Sequence, residues 1–173
     1  RELPGPLQMS AVMATLRDRL PDEAILTNGA GNFSVWAHRY YEFHRYPTQL
    51  GPRSGSMGYG VPAAVGAKAV HPDRPVVCLA GDGDFLMTGQ ELATAVQEEL
   101  PVVVLVVNNA MYGTIRMHQE RNYPGRVVGG DRVAATVLVH SLGHVRRVDA
   151  GDGDDAAEQL LERHRMVLLR QVV

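Results

Sequence analysis

The chain has 173 residues and a formal net charge of −2, from 17 Lys plus Arg against 19 Asp plus Glu. Its hydrophobic share of 45% and charged share of 21% suit a buried core and exclude wholesale disorder. The near-neutral balance excludes a nucleic-acid binder that works through a basic face, and one cysteine, Cys78, excludes a disulfide framework or a cysteine-rich zinc site.

Hydrophobic periodicity predicts alternating helices and strands. Leu7, Val12, Leu16 and Leu20 form a helical stripe that stops at Pro21-Asp22. Ala24 to Thr27 reads as a short strand running into Asn28-Gly29-Ala30-Gly31-Asn32. Ser34 to Phe43 reads as a helix carrying Trp36, Tyr40 and Phe43, and 44–58 reads as a Gly-, Pro- and Ser-rich loop. Tyr59 to Val70 is a helix of small residues suited to close packing on a sheet, with Pro62 tolerated in its first turn. Pro75 to Ala80 is an unbroken apolar run, the mark of a parallel strand covered on both faces. Thr88-Gly89-Gln90-Glu91 has the pattern of a capping box and predicts a helix through Leu92, Val96 and Leu100, ended by Pro101. Val102 to Val107 is a second apolar strand, and Met111 to Glu120 a further helix.

Beyond Gly130 the pattern weakens. Val133 to Leu142 fits helix or strand, and His144 to Val148 a short strand. Asp149 to Asp155 is an acidic turn; it lacks the glutamate that closes a Ca²⁺ loop. Ala156 to His164 reads as helix and Met166 to Val173 as a last strand. The order predicts an α/β domain of three layers around a mostly parallel sheet with right-handed crossovers.

The chemistry concentrates at two strand ends. Gly81-Asp82-Gly83 follows the strand ending at Ala80, and Asn108-Asn109 follows the strand ending at Val107. In a parallel sheet both ends lie at one edge, where ligands of open α/β sheets bind. The glycines permit a tight turn and close approach to an anion. Asp82 offers a carboxylate oxygen and Asn109 an amide oxygen. That donor set suits Mg²⁺, which takes one or two carboxylates and completes its shell with phosphate and water. A dinucleotide fingerprint fails, because its third glycine position is Leu86.

Gly-Asp-Gly, 24 intervening residues, then Asn-Asn resembles the diphosphate–metal motif of thiamine diphosphate enzymes. Gly55-Ser56-Met57-Gly58-Tyr59-Gly60-Val61-Pro62, Gly81 to Met87, Gln90 to Ala95 and Asn108 to Arg116 sharpen this to acetolactate-synthase-type enzymes. The resemblance covers about residues 5–130 and matches the C-terminal, diphosphate-binding domain of such enzymes. It implies thiamine diphosphate and Mg²⁺ as cofactors, and decarboxylation or carboligation of a small 2-oxo acid. Asp82 and Asn109 match metal ligands, with the backbone carbonyl of Met111 as a third. Gly81, Gly83, Asp84 and Phe85 match the loop around the diphosphate, and Asn32 a polar diphosphate contact. Met57 matches the apolar residue under the bent cofactor. Gly55 and Met57 match backbone contacts to the aminopyrimidine ring. Tyr112, Thr114, Ile115 and His118 fall where the substrate channel is lined.

The family's activating glutamate sits on a separate pyrimidine-binding domain. This sequence, which opens on Arg1-Glu2-Leu3, does not contain that domain and reads as part of something longer. The expectation is one cofactor domain over 1–173, with 131–173 atypical and the catalytic glutamate supplied in cis or in trans. Homo-oligomerisation and a cytoplasmic location are expected, and neither a membrane nor a nucleic-acid partner. The alternative is a cofactor-binding fragment or subunit without activity of its own. The tail admits two readings: a divergent version of the same topology, or sequence never selected to fold, as sixteen Arg against one Lys would allow. Asp84 stands where the family often has a small polar residue. It repels diphosphate, adds a metal ligand, or faces solvent at a helix start. Cys78 reads as an inert core thiol.

Overall fold

The computed structural model describes residues 8–130, 145–148 and 166–170. Among them the elements are α1 (Met9–Arg19), β1 (Ile25–Asn28), α2 (Ser34–Tyr40), β2 (Gln49–Leu50), α3 (Gly60–Val70), β3 (Val76–Gly81), α4 (Asp82–Thr88), a 3-10 turn (Gly89–Glu91), α5 (Leu92–Gln97), β4 (Val103–Asn108), α6 (Gly113–Asn122), β5 (Val145–Val148) and β6 (Met166–Arg170). The strands form one sheet in the order β2-β1-β3-β4-β6-β5, and every described pair is parallel. Order reverses between β1 and β3, so their carboxyl ends flank the switch point of an open α/β sheet.

Alternation along the strands builds the three layers. Ile25, Val76, Cys78, Ala80, Val104 and Val106 pack with α3, α4 and α5 through Val61, Ala64, Phe85, Leu92 and Ala95. Their neighbours Leu26, Val77, Leu79, Leu105 and Val107 pack with α1 and α2 through Met9, Val12, Met13, Leu16, Phe33 and Ala37. Successive strand residues point to opposite faces, so a strand buried on both sides must be apolar throughout. The three-layer α/β expectation therefore holds, with a sheet more uniformly parallel than expected.

Four local expectations change. Residues 49–50, read as loop, pair with β1 as a two-residue edge strand. α2 ends at Tyr40; Tyr41 and Phe43 leave the helix and meet edge to face, ring centroids 4.9 Å apart. The helix expected from Thr88 to Leu100 is α5, shorter at Leu92–Gln97, and a separate, unexpected helix, α4, opens at Asp82 directly after β3. Thr88 caps nothing: its hydroxyl donates to the Gly58 carbonyl at 2.8 Å. In the C-terminal segment, β6 pairs with β4 on one side and β5 on the other. The expected acidic turn, the helix over 156–164 and the ambiguous stretch 133–142 lie outside the described residues.

The small residues of α3 bring its start onto the strand ends. Thr27 Oγ1 donates to the Gly60 carbonyl at 2.8 Å. A Cβ on Gly60 would stand 2.8 Å from the Gly29 nitrogen, 3.0 Å from the Asn28 carbonyl carbon and 3.0 Å from Cys78 Sγ. Backbone cannot yield as a side chain does. Gly60→Ala is therefore expected to cost about 1–3 kcal/mol of stability by overpacking, measured as a lower urea midpoint with an unchanged slope. A loss near zero would show that α3 is free to shift.

Candidate functional site

Three strand ends meet at the switch point. Gly81 closes β3 in extended conformation and Asp82 opens α4. Asp82 is 3% exposed, and its Oδ2 has no hydrogen-bond partner. Burial pushes its carboxyl up to about 6, against backbone N–H groups of Gly83, Ala110 and Met111 that favour the ionised form. Asn109 lies just past β4, and its Oδ1 accepts the Met111 N–H at 3.2 Å. A carbonyl oxygen has two lone pairs, so one remains for a second partner.

The crevice closes on glycines. A Cβ on Gly83 would stand 2.5 Å from the Tyr112 ring, and one on Gly113 2.9 Å from Asn109 Nδ2. Gly31 and Gly81 both lie against the Phe33 ring, at 2.8 Å and 2.7 Å from an added Cβ. Glycine inside α4 costs about 1 kcal/mol of helix propensity; close approach of Tyr112 is what it permits. Thr114 Oγ1 donates to Asn32 Oδ1 at 3.0 Å, so α6 is joined to the segment after β1.

The structure overturns one of the three sequence readings of Asp84, the solvent-facing one. It is 2% exposed, so it does not face solvent. Its Oδ1 accepts the Gly58 N–H at 2.8 Å and the Ala30 N–H at 3.3 Å. These bonds occupy it as an acceptor of backbone donors. Burial pushes its carboxyl up to about 6 as well.

The sequence-derived residues thus divide. Asp82, Gly83, Asn109, Met111, Tyr112, Thr114 and Asn32 converge around the ends of β1, β3 and β4. The Phe85 side chain lies elsewhere: it is wholly buried in the core beneath α4, where it seats that helix. Gly55 is exposed at φ +68° and Met57 half-buried, in the loop leading to α3. Ile115 and His118 are exposed on α6, which buries none of its residues. Cys78 is buried and its thiol pushed up to about 12 by burial, as befits an inert core group. Sequence reasoning missed Gly29, Ala30 and Gly58 as the seats of Asp84. It also missed the Tyr112 N–H donating to the Gly130 carbonyl at 3.2 Å, which ties the start of α6 to the end of the following loop. A glycine directly after β1 was the one available signal.

Residues 29–170 match the family model described as "Thiamine pyrophosphate enzyme, C-terminal TPP binding domain". The chain belongs to this family of C-terminal TPP-binding domains. This TPP-binding domain is 41% identical over 127 residues to the acetolactate synthase large subunit of Corynebacterium glutamicum, covering 72% of the chain and 20% of that protein. It is 38% identical over 121 residues to the acetolactate synthase isozyme 3 large subunit of Escherichia coli K12, covering 69% of the chain and 21% of that protein. A solved structure, the thiamine diphosphate-dependent 4-hydroxybenzoylformate decarboxylase of Rhodococcus jostii RHA1, superposes with a TM-score of 0.81 at 29% identity. The match covers all of the chain and 34% of that protein. The domain therefore spans about one fifth of the length of these curated relatives.

Thiamine diphosphate is the cofactor of this family, with Mg²⁺ as its usual metal, and the crevice fits both. The Asp82 Oδ2 atom is a buried acceptor without a donor, the state a cation would complete. Among the described residues no three His, Cys, Asp or Glu side chains gather to cage a metal. A cation at Asp82 would then draw on amide, backbone, phosphate and water oxygens, the preference of Mg²⁺. No helix among the described residues is long and apolar enough to cross a membrane.

Proposed function

We propose that the chain is the cofactor domain of an acetolactate-synthase-like enzyme that decarboxylates or carboligates a small 2-oxo acid with thiamine diphosphate and Mg²⁺. The observation that carries this reading is the buried, unpartnered Asp82 Oδ2 at the end of β3, beside Asn109 at the end of the adjacent β4. In this reading Asp82, Asn109 and the Met111 carbonyl hold the cation. Asn32, Gly81, Gly83 and the backbone around Asp84 and Phe85 receive the diphosphate. Gly55 and Met57 receive the pyrimidine end. When bound, the cofactor supplies an electron sink for the charge left as CO₂ departs from a 2-oxo acid. Tyr112, Thr114, Ile115 and His118 line the substrate approach. A pyrimidine-binding domain, in cis or in trans, brings the activating glutamate, within a homo-oligomer in the cytoplasm.

Calorimetric titration of the chain with thiamine diphosphate tests the cofactor site. Saturable binding that requires Mg²⁺ is expected, weakened at least about 10–100-fold in Asn109→Ala. Binding indifferent to Mg²⁺, or undiminished in that variant, would reject the assignment. Turnover of a 2-oxo acid is expected to appear only when a pyrimidine-binding domain is supplied; turnover by the chain alone would reject the two-domain part.

A further inference from the structure

Asp84 is a buried carboxylate that the cofactor assignment above does not use. Its Oδ1 receives one N–H from the loop before α3, at Gly58, and one from the turn after β1, at Ala30. The residue itself sits in the first turn of α4, two positions after Asp82. One side chain therefore joins the three segments that carry Met57, Asn32 and Asp82.

We propose that Asp84 is a positioning residue that fixes the Met57–Gly58 peptide and the Ala30 turn against α4. It thereby sets where Met57 and Asn32 stand relative to the Asp82 carboxylate. The inference rests on the cofactor assignment for its functional meaning, though not for its geometry.

The geometry is restrictive. In a trans peptide the carbonyl points opposite to the N–H. With the Gly58 N–H directed at Asp84, the Met57 carbonyl is turned away from that carboxylate. Gly58's own carbonyl is taken by Thr88 Oγ1 at 2.8 Å, so α4 holds the residue from both sides. Gly58 has φ +79°, a conformation that other residues adopt only under strain. The carboxylate also needs room. A Cβ on Gly29 would lie 1.9 Å from Asp84 Oδ1 and 2.3 Å from its carboxyl carbon. Gly29 and Asp84 are thus a matched pair, 55 positions apart in sequence.

Asp84→Ala removes the acceptor, Asp84→Asn keeps an oxygen at Oδ1, and Gly29→Ala displaces the carboxylate without altering it. Hydrogen exchange reads the clamp directly, with no cofactor present. The Gly58 and Ala30 amides are expected to exchange at least about tenfold faster in Asp84→Ala, the loss typical of one charge-assisted hydrogen bond. Asp84→Asn should restore most of their protection, and amides of β3 and β4 should stay unchanged. Gly29→Ala should reproduce the Asp84→Ala pattern, and the double variant should add little to either single change. Binding then reads the function. Thiamine diphosphate affinity at saturating Mg²⁺ should fall about tenfold in Asp84→Ala and recover in Asp84→Asn, while the Mg²⁺ concentration for half-saturation is unchanged. Unaltered exchange at Gly58 in Asp84→Ala, or Asp84→Asn no better than Asp84→Ala, overturns the clamp. Altered exchange with unaltered cofactor affinity overturns the positioning role. Failure of the parent chain to bind the cofactor would instead overturn the cofactor assignment, with the exchange result still deciding the clamp.

Discussion

Asp82→Asn is expected to raise the melting temperature of the unliganded chain while abolishing its Mg²⁺-dependent cofactor binding. The two effects share one cause. The Asp82 carboxylate is buried, and one of its oxygens has no donor. An unsatisfied buried polar group costs about 1–3 kcal/mol, and more when it is charged. Asparagine keeps the shape and removes the charge. For a chain of this size, relief of about 1–2 kcal/mol is a rise of about 2–8 °C. The sign with pH follows from the direction of the shift. Burial raises this carboxyl from 3.8 to about 6, so between those values the folded chain holds more protons than the unfolded one. Stability from this group is then lost as pH rises through that window. The gap between Asp82→Asn and the parent chain should open over the same interval and stay level above it. Thermal melts across pH, with and without Mg²⁺ and thiamine diphosphate, check all three statements. A variant less stable than the parent at neutral pH would show that Oδ2 is well solvated. Strain kept at a site in exchange for ligand binding is a common trade between stability and function.

Phe85→Ala is expected to be the most destabilising single change among the described residues of the site. The side chain is wholly buried between α4, α3 and the sheet. Truncating a buried phenylalanine costs about 3–5 kcal/mol, part lost transfer energy and part cavity. α4 has seven residues, too few to hold together without tertiary packing. Loss of its anchor should therefore also loosen Asp82 and Asp84 in its first turn. Denaturant unfolding should show the stability loss, and a variant still folded should bind cofactor more weakly. Phe85→Leu, which keeps most of the volume, should recover the greater part of both. A cost under about 1 kcal/mol for Phe85→Ala would mean that α4 is seated by something else.

Parts of this molecule are plain in its sequence and parts are not. β3 and β4 are legible because burial on both faces demands unbroken apolar runs, and Val76 to Ala80 and Val103 to Val107 supply them. Asp82 and Asn109 are legible because the parallel sheet brings the ends of those two strands together. β2 is not, because Gln49-Leu50 is two residues at a sheet edge with no periodicity to detect. α4 is not, because Gly-Asp-Gly-Asp has the composition of a turn; the burial of Phe85 overrides that local preference. Asp84 misleads for a related reason. A carboxylate in a glycine-rich turn suggests solvent, whereas Asp84 is buried and its donors come from residues 26 and 54 positions away. Hydrogen bonds between backbone and a remote side chain leave no pattern in a single sequence.

Among the described residues, α6 differs from the other helices of comparable length, since no residue of it is buried. What fixes its place is polar: Thr114 to Asn32 at one end, and Gln119 bonded to both the nitrogen and the carbonyl of Val128 further along. A segment retained by a few exposed hydrogen bonds has little hydrophobic free energy to lose when it opens. Its amides should exchange through local fluctuations long before the sheet unfolds. The α6 side of the crevice is then its compliant wall and the β3–β4 side its rigid one. Under the proposed reading, the cofactor would then rest against the rigid wall and a 2-oxo acid would approach along the compliant one.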